Sequence, residues 1–166
     1  MIYKFATGAL VAALLATAAP SLVSSASAAT PVQEVTVAVD ATALENAKAA
    51  AHWATLSGDL STAILKRLPD GVAKEGAVID IAIDSLSLAN SLQAATGTAD
   101  SRLMGSVKVS SLNNDPTEMY DLTVSFADAS PFFPEGTDLT KITTDSMEYY
   151  QARIDAFADH VVAKLN

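Results

Sequence analysis

The sequence predicts an α+β fold: a two-layer sandwich in which a four-stranded, largely antiparallel sheet carries two helices on one face, in the order β-α-β-β-β-α. Three observations predict it. Ile79, Ile81 and Ile83 alternate with Asp80 and Asp84, the mark of a strand packed on one side only. Two segments, Ala49 to Leu68 and Met147 to Leu165, repeat apolar residues every three or four positions, as amphipathic helices do. One apolar sheet face and two apolar helix stripes are complementary, and packing them together is the economical way to bury all three.

The chain has 166 residues, room for one ordinary domain. Half the residues are hydrophobic and the mean hydropathy is +0.28, which excludes a disordered chain. Ten Lys and Arg against nineteen Asp and Glu give a net charge of −9. That acid excess argues against a protein that tracks nucleic-acid phosphates and against docking on anionic lipid. There is no Cys, so disulfide scaffolds, thiolate metal sites, Cys nucleophiles and lipids attached through Cys are all excluded.

Residues 1–28 read as a secretory signal peptide. Lys4 supplies a short positive region, Phe5 to Ala19 carries no charge, and Pro20 ends that run. Ala26-Ser27-Ala28 then offers small side chains at the two places the peptidase pocket inspects. The uncharged run is shorter than the about 20 residues a membrane span needs, although an uncleaved N-terminal anchor is the alternative. The expected product is a single α+β domain over residues 29–166, exported to a bacterial periplasm, with no remaining membrane span and no lipid anchor.

After a short polar lead over 29–34, Val35, Val37 and Val39 alternate with polar or small residues and predict the first strand. Thr42 and Glu45 have capping-box spacing, so a helix can start at Ala43. Its stripe is Ala49, Trp53, Leu56, Leu60, Ile64 and Leu68. Either one helix runs through Gly58 or a shorter one begins near Ser57, and Pro69-Asp70-Gly71 ends both. In the second strand the apolar phase flips after Asp84 to Leu86 and Leu88, which predicts a bulge near Ser85. Gly97 to Asp100 is a turn, Leu103, Gly105, Val107 and Val109 make the third strand, and Asn113 to Pro116 is the next turn. Tyr120, Leu122, Val124 and Phe126 predict the fourth strand. The last helix is expected from Thr144 to Leu165, capped by Thr143 or Thr144, with the stripe Met147, Tyr150, Ile154, Phe157, Val161 and Leu165.

This order of elements, together with the leader and the aspartate-bearing second strand, resembles small envelope proteins of Gram-negative bacteria. The lipopolysaccharide-assembly lipoproteins of the outer membrane share the β-α-β-β-β-α plan, and exported proteins of alphaproteobacteria look similar. The resemblance spans most of the mature chain. It implies an exported α+β accessory protein of the envelope, but those lipoproteins carry an acylated Cys that this chain lacks, so no functional residue transfers.

Chemistry-bearing motifs are sparse. His52 and His160 each sit on a predicted helix without an H-x-x-x-H or H-E-x-x-H partner, which leaves little basis for a His-ligated metal. As a catalytic base either would need a nucleophile such as Ser57 or Ser61 and an orienting carboxylate. Asp80 and Asp84 lie about 13 Å apart along one strand face, too far to share a proton. Asp155 and Asp159 form an i,i+4 like-charge pair, typical of a solvated helix face. Asn113, Asn114, Asp115 and Glu118 gather oxygens in one turn but lack the EF-hand frame. No P-loop or G-x-G-x-x-G is present, so no cofactor is expected.

The least ordinary segment is Ser130-Pro131-Phe132-Phe133-Pro134-Glu135-Gly136. Phe132 and Phe133 either cap the end of the core or form a small apolar knob that docks a partner. The sequence therefore leads to a non-enzymatic accessory or binding protein of the cell envelope, its partner an envelope protein or ligand and not nucleic acid. The competing reading is a small periplasmic hydrolase using His52 or His160.

Overall fold

A computed structural model of the chain describes residues 29–39, 54–87, 102–111, 116–143 and 146–165. The leader over 1–28, the Thr42–Glu45 capping box, His52 and the two turns around 97–100 and 113–115 lie outside these residues. Within them the order is β1 (Val32–Val39), α1 (Leu56–Arg67), β2 (Ala77–Ser87), β3 (Arg102–Ser110), β4 (Glu118–Val124), α2 (Phe126–Ala129), a 3₁₀ turn (Ser130–Phe132) and α3 (Met147–Ala163). The sheet has the order β1-β2-β3-β4. β1 and β2 run parallel, and β2, β3 and β4 form an antiparallel meander. A parallel pair needs a crossover connection, and α1 lies in it. The fold is the expected α+β sandwich with a mixed sheet.

The predicted bulge is present. Ile83 pairs with Gly105 but Ser85 pairs with Met104, leaving Asp84 as the extra residue. Before it, Ile79, Ile81 and Ile83 point into the core; after it, Leu86 stands opposite the buried Leu103. Gly105 is inward too, and a Cβ there would lie 2.8 Å from the Ala82 carbonyl oxygen and 3.4 Å from the Phe157 ring. Its missing side chain is what keeps β3 clear of the Ala82 carbonyl and the Ile83 side chain on β2, while the Phe157 ring of α3 closes over it in ordinary contact.

The helix boundaries differ from the expectation in instructive ways. Residues 54 and 55 form a turn and α1 begins at Leu56, so the shorter of the two predicted helices forms. Gly58 then falls in the first turn, where its flexibility costs less than at mid-helix. α3 is capped by Ser146, whose Oγ accepts from the Tyr149 N–H at 3.2 Å, and not by Thr143 or Thr144. Met147, expected in the buried stripe, is 63% exposed because it sits in the first turn, beyond the edge of the packed layer. The lead over 29–34 is not merely a polar approach: Val32 is buried, and Pro31 and Val32 carbonyls accept from Ala77 and Ala73 at 2.8 Å each. Gly71, at φ +66°, turns the chain back after α1 so that this closure can form.

α1 also covers the outer edge of β1. The Ser57 and Ser61 hydroxyls donate to the Val37 and Val35 carbonyls, so an edge that would otherwise invite another strand is satisfied by side chains. These serines, candidates for a nucleophile on sequence grounds, thus have a backbone-sealing role.

Two polar links join α1 to α3. The Tyr150 hydroxyl donates to Asp59 Oδ2 at 2.6 Å, and Thr55 Oγ1 donates to the same oxygen at 2.7 Å. At the far end of α1, Arg67 pairs with Asp155 at 2.9 Å, and Gln151 donates to the other Asp155 oxygen. Asp155 is half-buried in this pair, whereas Asp159 is exposed, so only Asp159 fits the solvated-face expectation.

Candidate functional site

The candidate site is built from the short segment between β4 and α3. Sequence periodicity placed Phe126 at the end of the fourth strand, but the strand stops at Val124 and Ser125 starts α2. The reason is a reciprocal cap. Ser125 Oγ accepts from the Asp128 N–H at 3.3 Å, and Asp128 Oδ2 accepts from the Ser125 N–H at 2.8 Å and the Ser125 hydroxyl at 2.6 Å. This is a capping box with Asp in the place usually held by Glu. Those hydrogen bonds hold the Asp128 carboxyl below the usual carboxylate range, with His160 adding a smaller favourable charge.

The helix is one turn long and runs directly into the 3₁₀ turn through Pro131, whose fixed φ suits the first turn. The chain leaves it at Phe133 in an extended conformation. Pro134 and Gly136, with φ +83°, form the next turn, where Thr137 donates from both N–H and Oγ1 to the Pro134 carbonyl. Asp138 then caps a further turn by accepting from the Thr140 N–H and hydroxyl, and pairs with Lys141 at 3.0 Å. The aromatic segment is therefore held between hydrogen-bonded turns on both sides.

Four side chains meet at its centre. The Phe126, Phe133 and Tyr149 rings form a triangle with centroid separations of 5.8, 5.7 and 6.1 Å. The Arg153 guanidinium lies over the Tyr149 ring, 4.8 Å from its centroid. Tyr149 and Arg153 are fully buried, Phe132 and Phe133 are half-buried against the core, and Phe126 is 36% exposed. The corner grades from a closed interior at Arg153 to an aromatic rim at Phe126 and Phe132. The buried Tyr149 hydroxyl has no hydrogen-bond partner among the described residues.

Sequence reasoning identified Phe132 and Phe133 but missed Tyr149 and Arg153. The signal was available: Tyr149, Arg153 and Phe157 form one i,i+4 row, so they share a helix face. Arg153 escaped notice because a charged residue is ordinarily assigned to the solvated side. Beside the corner, an open depression of about 320 Å³ lies between the capped turns and the start of α3, lined by Thr137, Asp138, Lys141, Ile142, Ser146 and Glu148 among others.

The other sequence candidates are dispersed. His160 is exposed, with Nδ1 2.8 Å from the Ala156 carbonyl of its own helix, so that nitrogen serves as a donor to the backbone. Asp80 and Asp84 lie on the uncovered face of the sheet, where the Ser106 hydroxyl is 2.7 Å from Asp84 and 3.2 Å from Asp121. Glu118 is exposed at the start of β4. Among the described residues no three His, Asp or Glu side chains stand close enough to hold a metal ion, and no helix is long and apolar enough to cross a membrane. Comparison with protein-family models, with curated proteins and with solved structures finds no match for this chain.

Proposed function

We propose that the protein is an exported, non-enzymatic binding protein of the bacterial cell envelope, working in the periplasm, and that the aromatic corner is where it meets its partner. The observation that carries this reading is the half-exposure of Phe132 and Phe133 on a segment fixed at both ends. Aromatic side chains on a rigid support are favoured contact residues, because large apolar area is presented with little conformational entropy left to lose. The expected partner is an envelope protein or ligand with an apolar recess. The acidic charge of the chain disfavours nucleic acid and anionic lipid. Export is supported by the leader pattern and by where the fold begins. The Thr30 N–H, two residues past Ala28, donates to the Leu165 carbonyl at 2.9 Å, and Val32 is already buried.

Site-specific photocrosslinking of the exported protein tests the reading. A crosslinking side chain at position 132 should capture an envelope component, while the same group at position 119 should not. Met119 is 70% exposed and projects from the opposite, uncovered face of the sheet. With the crosslinking group moved to the exposed position of Glu135 in the same segment, Phe132→Ser should reduce capture at least about tenfold, the loss of one good anchor residue. Its stability cost should stay at about 0.75–1.5 kcal/mol, half the worth of a fully buried Phe. Equal capture at both positions, or full capture by Phe132→Ser, would remove the corner from consideration.

A further inference from the structure

We infer that export processing completes the fold: cleavage between Ala28 and Ala29 places a new α-ammonium group beside the Asp70 carboxylate, and the pair fastens the mature N-terminus to the turn after α1. The inference rests on the proposed export and adds to it a role for one residue. Ala29, Thr30 and Val32 share a small surface depression with Leu68, Asp70 and Gly71, and among the described residues Asp70 is the one charged side chain lining it. Both walls are held in place. Thr30 is hydrogen-bonded to Leu165, the Gly71 N–H donates to Leu68 at 3.3 Å, and Val32 bridges Val72. In the precursor the nitrogen of Ala29 belongs to a neutral peptide group. Hydrolysis breaks that bond, the Ala28 carboxylate departs with the leader, and the Ala29 amine takes up a proton. The charge appears where an acid already waits.

Charged groups on the adjoining elements are Glu34 on β1, Lys66 and Arg67 in the last turn of α1, Lys74 and Glu75 beyond Gly71, and Lys164 at the end of α3. Arg67 is engaged with Asp155, and Lys164 lies over the Tyr120 ring.

The test uses protein recovered from the periplasm. Mass spectrometry fixes its N-terminus. Its amines are then methylated with ¹³C-formaldehyde, and the α-amine is titrated by NMR in the wild-type chain and in Asp70→Asn. An unperturbed α-amino group titrates near 7.7–8.0, and a solvated ion pair should raise this by about half a unit. The wild-type value should exceed that of Asp70→Asn by this amount. Equal values in the two proteins would overturn the pairing. A mature N-terminus other than Ala29 would instead overturn the processing on which it rests.

Discussion

The two faces of the sheet are made by the same strands and the same backbone ladder, yet they do different work. On the covered face Ile79, Ile81, Ile83, Leu103, Val107 and Val124 are buried beneath α1 and α3. On the other face the intervening residues are Asp80, Ala82, Asp84, Ser106, Lys108 and Asp121, most of them exposed. The covered face gains about 25 cal/mol for each Å² of apolar surface withdrawn from water. The uncovered face gains nothing of the kind, and a polar cluster there places a single Ser106 hydrogen between two solvated carboxylates. Stability therefore resides on one side of the molecule, and substitutions should report that division directly.

The largest effect is expected where α3 meets the centre of the sheet. Phe157 is fully buried and its ring reaches the bare Gly105 backbone. Phe157→Ala should cost about 3–5 kcal/mol in chemical denaturation, since the neighbours cannot collapse into the space left. A cost under about 1 kcal/mol would mean that the covered face is not the seat of stability.

This division was legible in the sequence where side chains alternate cleanly. The isoleucines of β2, the phase flip at Ser85 and the stripe through Ile154, Phe157 and Val161 each follow from the period of one element alone. The reading failed where a residue answers to a neighbour outside its own element. Phe126 continues the strand period, but the Ser125–Asp128 cap ends the strand first. Val32 lies in a polar stretch and is buried by the turn after α1. Tyr149 and Arg153 are buried because α3 is covered on a third side by the segment from Phe126 to Phe133, which no periodicity of α3 could announce. The candidate site was thus half visible: its rim was readable as two adjacent aromatics, its floor was not.

A smaller effect belongs to the polar seam within the covered layer. The Tyr150 hydroxyl and Thr55 hold the Asp59 carboxyl below its usual range, and burial together with Asp59 pushes the Tyr150 hydroxyl well up. The carboxyl is depressed in the fold, so its contribution is complete above the unfolded value near 3.9 and fades as pH falls through the folded value. The phenol is raised, so its contribution is complete below about 10 and fades as pH rises further. Tyr150→Phe should cost about 0.5–1 kcal/mol at neutral pH, the low end for a hydrogen bond to a charged group because Asp59 is solvated. Denaturation at a series of pH values should show the gap between the two proteins closing below about pH 4. A gap unchanged at pH 2 would assign the cost to packing around the ring.

The smallest effect is expected on the uncovered face, and it tests the comparison from the other side. Asp80 lies between Thr36 on β1 and Lys108 on β3, directly opposite each in register. Opposite charges across a strand pair contribute at most a few tenths of a kcal/mol when water reaches both. Asp80→Asn retains the size and the hydrogen-bonding shape of the side chain and removes only its charge, so the change should stay within about 0.5 kcal/mol. Because the chain already carries nine more negative than positive charges, losing one also relieves some self-repulsion, which offsets part of any cost. Measurement at low and high salt separates both charge contributions from packing, since only the charge contributions shrink as ions screen them. A loss above about 2 kcal/mol that persists in high salt would mark Asp80 as a group the fold cannot do without, and the uncovered face would then contribute to stability after all.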